Sequence, residues 1–298
     1  MAAKSFRQRL RQQPSVVLLD GATGSELHSR GCDTRLPLWS ARALLEAPDV
    51  VAKVHAEYAK AGAEIVTANT FRTTRRAIAR AGLKPQAKLL TAKAVELARK
   101  SKAPFVAGSI GTLEDCYKPQ LVPPFPECER EHGEHAEHLA EAGVDLLLIE
   151  TMNSIGEAAA AAHSAQKTGL PIFVSFVCRS DGRILSGERV RAAAERLLEL
   201  GVAGLGINCT PTATLHEPLA ELLAAVNDRV PVAAYGNLGK TDAVHGWTST
   251  EELDPNGYAM RAERWMELGA RVIGGCCGTT PAHVAALKKV VDRRTPAR

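Results

Sequence analysis

Two rhythms of apolar residues alternate along the chain. Apolar runs of strand length at 16–20, 64–68, 105–108, 146–150, 172–177, 204–209, 232–235 and 271–274 give eight strand candidates. Between them, apolar positions return every three or four residues. This predicts helices over 49–60, 86–98, 127–141, 154–167, 188–200, 214–226, 258–268 and 281–291. In the first helix Val50, Val51, Val54 and Tyr58 share a face that ends before Gly62. Ser154 with Glu157 forms a capping box, and Thr280 before Pro281 reads as an N-cap followed by a first-turn proline. Phe6 and Leu10, four residues apart, predict a short helix within 1–14 that covers one end of the domain.

Eight strand-then-helix units with no composition shift between them predict an α/β fold, a single (β/α)8 barrel spanning 1–298. An open doubly wound sheet is the alternative, but it has no need of eight units, and no GxGxxG or Walker-type loop follows any strand. A barrel gathers its chemistry at the C-terminal ends of its strands. Those ends carry Asp20-Gly21-Ala22-Thr23-Gly24, Asn69-Thr70-Phe71, Glu150-Thr151, Asn208-Cys209, Gly236-Asn237 and Cys276-Cys277. Closure sets strands six, seven and eight side by side with strand one next to eight, so three sulfurs and two carboxylates are expected at one mouth.

Composition narrows the class. The 298 residues are 45% hydrophobic and 23% charged, as in a soluble globular protein with a large core. A net charge of +4 with no basic stripe argues against nucleic acid, and no apolar run is long enough to span a membrane. The first fifteen residues are basic and lack acids, which faintly resembles a transit peptide; the covering helix is the preferred reading. Seven scattered cysteines suit a reducing cytoplasm. Oligomeric state leaves no signature.

Adjacent Cys276 and Cys277 are flanked by glycines on both sides. In a regular strand they would face opposite ways, so the glycines are read as letting the backbone leave strand geometry. With Cys209 they make three thiols, one short of a tetrahedral zinc, and an open fourth position is the mark of a catalytic zinc. Cys32, Cys116, Cys128 and Cys178 read as incidental or buried thiols. His132, His135 and His138 recur every third residue and are expected to face solvent.

Asp20-Gly21-Ala22-Thr23-Gly24-Ser25-Glu26-Leu27, Arg30-Gly31-Cys32, Leu38-Trp39-Ser40, Gly206-Ile207-Asn208-Cys209 and Gly274-Gly275-Cys276-Cys277-Gly278-Thr279-Thr280-Pro281 together resemble the homocysteine S-methyltransferase family. The resemblance spans nearly the whole chain. It implies that Cys209, Cys276 and Cys277 hold Zn2+, that homocysteine takes the open position, and that a small activated methyl donor converts it to methionine. It also implies that Asp20, the Gly21 backbone and Glu150 hold the amino-acid end of homocysteine. The competing role for these carboxylates is structural, as caps or ion-pair partners. Asn237 is similar to an asparagine that occupies the zinc in some relatives, and a turn role suits it equally.

For the donor, a sulfonium is favoured, S-methylmethionine or S-adenosylmethionine. Betaine-dependent relatives have a tyrosine where this chain has Thr151, and only 4% of residues are aromatic, so a cage for a quaternary ammonium is disfavoured. Betaine, a corrinoid protein, another thiol or selenol as acceptor, and a non-catalytic zinc barrel remain as alternatives. Tyr117 in the loop 111–126 and Trp247 in the loop 237–247 are the expected donor-side residues, with rim packing as the plainer role for Trp247.

Overall fold

The computed structural model describes residues 2–12, 16–242, 246–249 and 254–294. Ten strands are found there: β1 (Val17–Leu18), β2 (Ile65–Ala68), β3 (Phe105–Ile110), β4 (Leu146–Met152), β5 (Ile172–Phe176), β6 (Gly204–Pro211), β7 (Val232–Asn237), β8 (Gly239–Asp242), β9 (Gly246–Ser249) and β10 (Val272–Ile273). Eight of these form one parallel sheet in the order β1-β10-β7-β6-β5-β4-β3-β2. A parallel bridge between Leu19 and Ile65 joins its two edges and closes the (β/α)8 barrel. β8 and β9 are a separate antiparallel hairpin in the region read as a plain loop.

Strand alternation sorts the apolar residues into two cores. Val17, Leu19, Ile65, Phe105, Ala107, Leu146, Leu148, Phe173, Ala233 and Val272 fill the barrel interior. Their neighbours Leu18, Val66, Val106, Leu147, Val174, Leu205 and Ile273 face outward into the packing layer beneath the helices. Gly204 takes an interior position because the Phe173 ring occupies the space: a Cβ there would lie 2.2 Å from the ring. At the N-terminal end of the barrel, the helix Ala2–Arg11 inserts Phe6, whose ring meets Phe105 at 5.0 Å and Phe173 at 6.1 Å. Burying that ring contributes about 1.5–3 kcal/mol.

The helical layer follows the sequence rhythm with shifted ends. The helix Pro255–Leu268 starts three residues before the predicted 258, because Asp254 caps it by accepting from Gly257 N and Pro255 takes its first turn. Ser154 accepts from Glu157 N at 3.4 Å as the capping box requires. The Glu157 side chain instead turns inward, where Leu113 N donates to it at 2.7 Å and His132 lies at 3.1 Å. This corrects the expectation for the histidines. His132 and His135 lie buried in the helix Phe125–Ala142, with Nε2 of His135 3.1 Å from Thr70 O. Residues three apart stay on one helix face, so these two join Cys128 and Leu139 on the inward stripe. Only His138 is partly exposed.

Candidate thiol and metal centre

At the C-terminal ends of the strands, the inward-facing positions change from apolar to polar. Thr67, Ser109, Glu150, Ser175, Asn208 and Tyr235 continue the interior parity of β2 to β7 and form a hydrogen-bonded layer. Ser109 donates to Glu150 at 2.5 Å, Ser175 Oγ donates to Asn208 Oδ1 at 2.9 Å, and the Ser175 and Tyr235 hydroxyls meet at 2.5 Å. Asp20 accepts from Thr67 N at 2.7 Å and from Thr67 Oγ1 at 2.8 Å. Above this layer opens a cavity of about 430 Å³, lined by Asp20, Glu150, Thr151, Cys209, Cys276 and Cys277 among others.

Two bulges aim the floor of this cavity. The β4–β5 register shifts between Ile149 and Met152, and the β6–β7 register shifts between Asn208 and Pro211. At the bulges Thr151 and Cys209 take left-handed backbone angles, φ 60° and 48°. Such angles are costly for a β-branched threonine and persist only under external constraint. Asn208 supplies it. Its Oδ1 accepts from Thr151 N at 2.9 Å, and its Nδ2 donates to Thr151 Oγ1 at 2.8 Å. Asn237 Nδ2 donates to Cys209 O at 2.8 Å, while its Oδ1 accepts from Gly239 N at 3.1 Å.

On the far wall, β10 ends at Ile273 and the chain leaves strand geometry before Cys276, as the paired cysteines require. Gly275 serves by its lack of a side chain, since a Cβ would lie 2.1 Å from Thr279 Oγ1. Thr279 Oγ1 donates to Cys276 O at 2.7 Å and fixes the turn. The outcome is a cluster in which the Sγ atoms of Cys209, Cys276 and Cys277 lie within 4.8 Å of one another, with Cys209 and Cys277 at 3.9 Å. Sulfurs bound tetrahedrally at about 2.3 Å stand roughly 3.8 Å apart, so a thiophilic ion such as zinc fits this donor set. Hydrogen bonds from Cys276 and Cys277 hold the Cys209 thiol well below the usual range, and both partners are pushed up in exchange.

Burial raises Asp20 to about 7. Glu150 also rises to about 7, chiefly through burial and further through the nearby Asp20 charge, against the opposing Ser109 hydrogen bond. The floor is thus rich in latent negative charge.

The loop from 111 to 126 forms the opposite wall. Tyr117 Oη lies 3.1 Å from Cys209 Sγ, so this residue, expected only on the donor side, touches the thiol cluster itself. Cys116, expected to be incidental, also lines the cavity, though outside the group of three. Cys178 is buried, as expected. Trp39, Phe71, Tyr117 and Tyr235 are the aromatic residues of the wall among the described residues, whereas Phe125 is exposed. Trp247 stands in β9, but its side chain lies outside the described residues, as does His245. Alternation at the strand ends is the available signal for Thr67, Ser109 and Ser175, which belong to none of the motifs.

A family model described as homocysteine S-methyltransferase matches residues 17–291. The homocysteine S-methyltransferase of Escherichia coli (strain K12) is 33% identical, covering 97% of this chain and 99% of the relative. A selenocysteine methyltransferase of Astragalus bisulcatus is 26% identical over 98% of this chain and 97% of its own. Among solved structures, the metallated form of the E. coli homocysteine methyltransferase MmuM superimposes with a TM-score of 0.82 at 30% identity, covering 97% of this chain and 99% of that one. No described helix is long and apolar enough to cross a membrane.

Proposed function

The chain belongs to the homocysteine S-methyltransferase family of enzymes, and from that premise we propose that it transfers a methyl group from a small sulfonium donor to homocysteine at a zinc site. The observation that carries this reading is the trio of sulfurs, mutually within 4.8 Å, in a cavity that also holds the carboxylates of buried Asp20 and half-buried Glu150. Cys209, Cys276 and Cys277 would hold the zinc. When bound, zinc lowers the pKa of a thiol in its open position, so that homocysteine, whose free thiol titrates near about 8.5, reacts as a thiolate at neutral pH.

Asp20 and Glu150 face the ammonium of homocysteine. A cation there relieves their mutual repulsion and allows both to ionise. The Gly21 amide has no hydrogen-bond partner among the described residues and suits the substrate carboxylate. Asn237 and Tyr117 hold Cys209 in place from two sides. Trp39 and Phe71 pack edge to face at 5.7 Å and keep water from the reacting sulfur. The thiolate sulfur then forms a bond to the donor methyl as the methyl–sulfonium bond breaks, and its electron pair returns to the leaving sulfur. With S-methylmethionine as donor, both products are methionine.

The test is a donor comparison with the zinc-loaded protein and homocysteine, reading methionine by mass spectrometry. S-methylmethionine, or else S-adenosylmethionine, is expected to support turnover without cobalamin. Methionine from betaine or a methylated corrinoid protein, but from neither sulfonium, would overturn the donor assignment and leave the thiol site standing. Selenocysteine belongs in the acceptor series, since a relative 26% identical carries that name.

A further inference from the structure

We propose that Arg72 is the receptor for the carboxylate of the methyl donor, and that this contact selects donors built on an amino acid. The inference rests on the sulfonium reading above and adds the chemistry that recognises the rest of that molecule.

Arg72 follows β2, lines the cavity and is half-buried. Its guanidinium is held in place: Nη1 donates to Thr112 O at 3.3 Å, Nη2 donates to Glu114 O at 2.9 Å, and the Phe71 ring centroid lies 5.3 Å from its central carbon. A guanidinium offers five N–H donors, and these two bonds leave three. Both bonds go to neutral carbonyls, and no carboxylate among the described residues pairs with the guanidinium. The neighbouring arginines differ: Arg75 meets Glu134, Arg76 meets Glu114 and Glu131, and Arg80 meets Glu114. Lys118, the other cation of the cavity wall among the described residues, is paired with Asp115 at 3.3 Å.

Charge is therefore divided across the cavity. The floor carries the thiols, Asp20 and Glu150, while Arg72 stands on the side of the loop whose Tyr117 reaches Cys209. A donor with a sulfonium at one end and a carboxylate at the other matches that division: the sulfonium is drawn to the anionic floor and the carboxylate to a preorganised planar fork. A sulfonium without a carboxylate would bring only positive charge and gain nothing at Arg72.

The test compares kcat/KM for S-methylmethionine and for its carboxamide, which keeps the sulfonium but lacks the carboxylate charge. The wild-type enzyme is expected to favour the acid by roughly ten- to a hundredfold, the range for one charged hydrogen bond. Arg72→Gln should bring that ratio close to one through KM for the acid, with KM for homocysteine unchanged. Arg72→Lys should keep part of the preference, and it decides the matter if Arg72→Gln does not fold. A wild-type enzyme that treats acid and amide alike overturns the proposal while the sulfonium reading stands. Equal slowing of both donors by Arg72→Gln, or full wild-type preference in either variant, shows that Arg72 only supports the loop. A rise confined to KM for homocysteine assigns it to the acceptor. If neither sulfonium turns over, the donor reading falls and this proposal with it.

Discussion

Asp20 and Glu150 are pushed to about 7 by burial, with Asp20 adding to the effect on Glu150, so near neutral pH each is only partly ionised in the substrate-free protein. An ammonium group bound between them pulls both toward the charged form, and binding must release protons. Glu150→Gln and Asp20→Asn are each expected to weaken homocysteine binding roughly ten- to a hundredfold, the cost of one charged hydrogen bond, while leaving the metal in place. Calorimetric titration in buffers of different ionisation enthalpy checks this. Proton release between pH 6 and 7 should drop in either variant, and unchanged affinity in both would place the acceptor pocket elsewhere. The same residues show what a sequence discloses. Paired cysteines between glycines and lone acids at strand ends are chemically unusual, so they stand out. Thr67, Ser109 and Ser175 do not, because one small polar residue in an apolar strand looks like ordinary composition until closure places all three in one layer. His132 and His135 depart from the solvent-facing expectation because a three-residue spacing keeps side chains on one helix face, here the inward one.

At the scale of elements, strand existence was legible and strand ends were not. β4 and β6 run past their predicted limits, to Met152 and Pro211, because each contains a bulge that apolar periodicity cannot signal. Those bulges aim Cys209 and Thr151, and Asn208 fastens both strands. Asn208→Leu removes the acceptor for Thr151 N and Ser175 Oγ and the donor to Thr151 Oγ1. With buried partners left unsatisfied, it should cost about 2–4 kcal/mol of stability. It should also weaken metal binding, because Cys209 follows Asn208 directly in the chain and the bulge that aims it loses its ties to Thr151 and Ser175. Urea unfolding and a competitive zinc titration report the two effects, and a variant with native metal affinity would show that the bulge holds itself. The short hairpin of β8 and β9 escaped the sequence reading, since two four-residue strands carry too little alternation to be told from a loop.

For the molecule as a whole, eight repeats of strand and helix made the barrel legible, because a closed parallel sheet needs every strand apolar and every connection helical. The two acids give the closed barrel a pH signature. Folded Asp20 and Glu150 keep protons that the unfolded chain releases above about 4, so their burial disfavours the folded state increasingly as pH rises from about 4 to about 7. His55 and His135, both lowered to about 4 by burial, act in the opposite sense: the stability they confer above about 6.5 is lost as pH falls toward 4. In metal-free protein, the double variant Asp20→Asn/Glu150→Gln should therefore gain more stability over wild type at pH 8 than at pH 4. An equal difference at both pH values in urea unfolding would show that the acids are not shifted. The central claim, that three cysteines hold zinc and the substrate sulfur completes its shell, is tested most directly by zinc-edge X-ray absorption of the purified enzyme with and without homocysteine. Three sulfurs at about 2.3 Å should become four on adding homocysteine, and no fourth should appear with methionine. A sulfur count that stays at three with saturating homocysteine would contradict it.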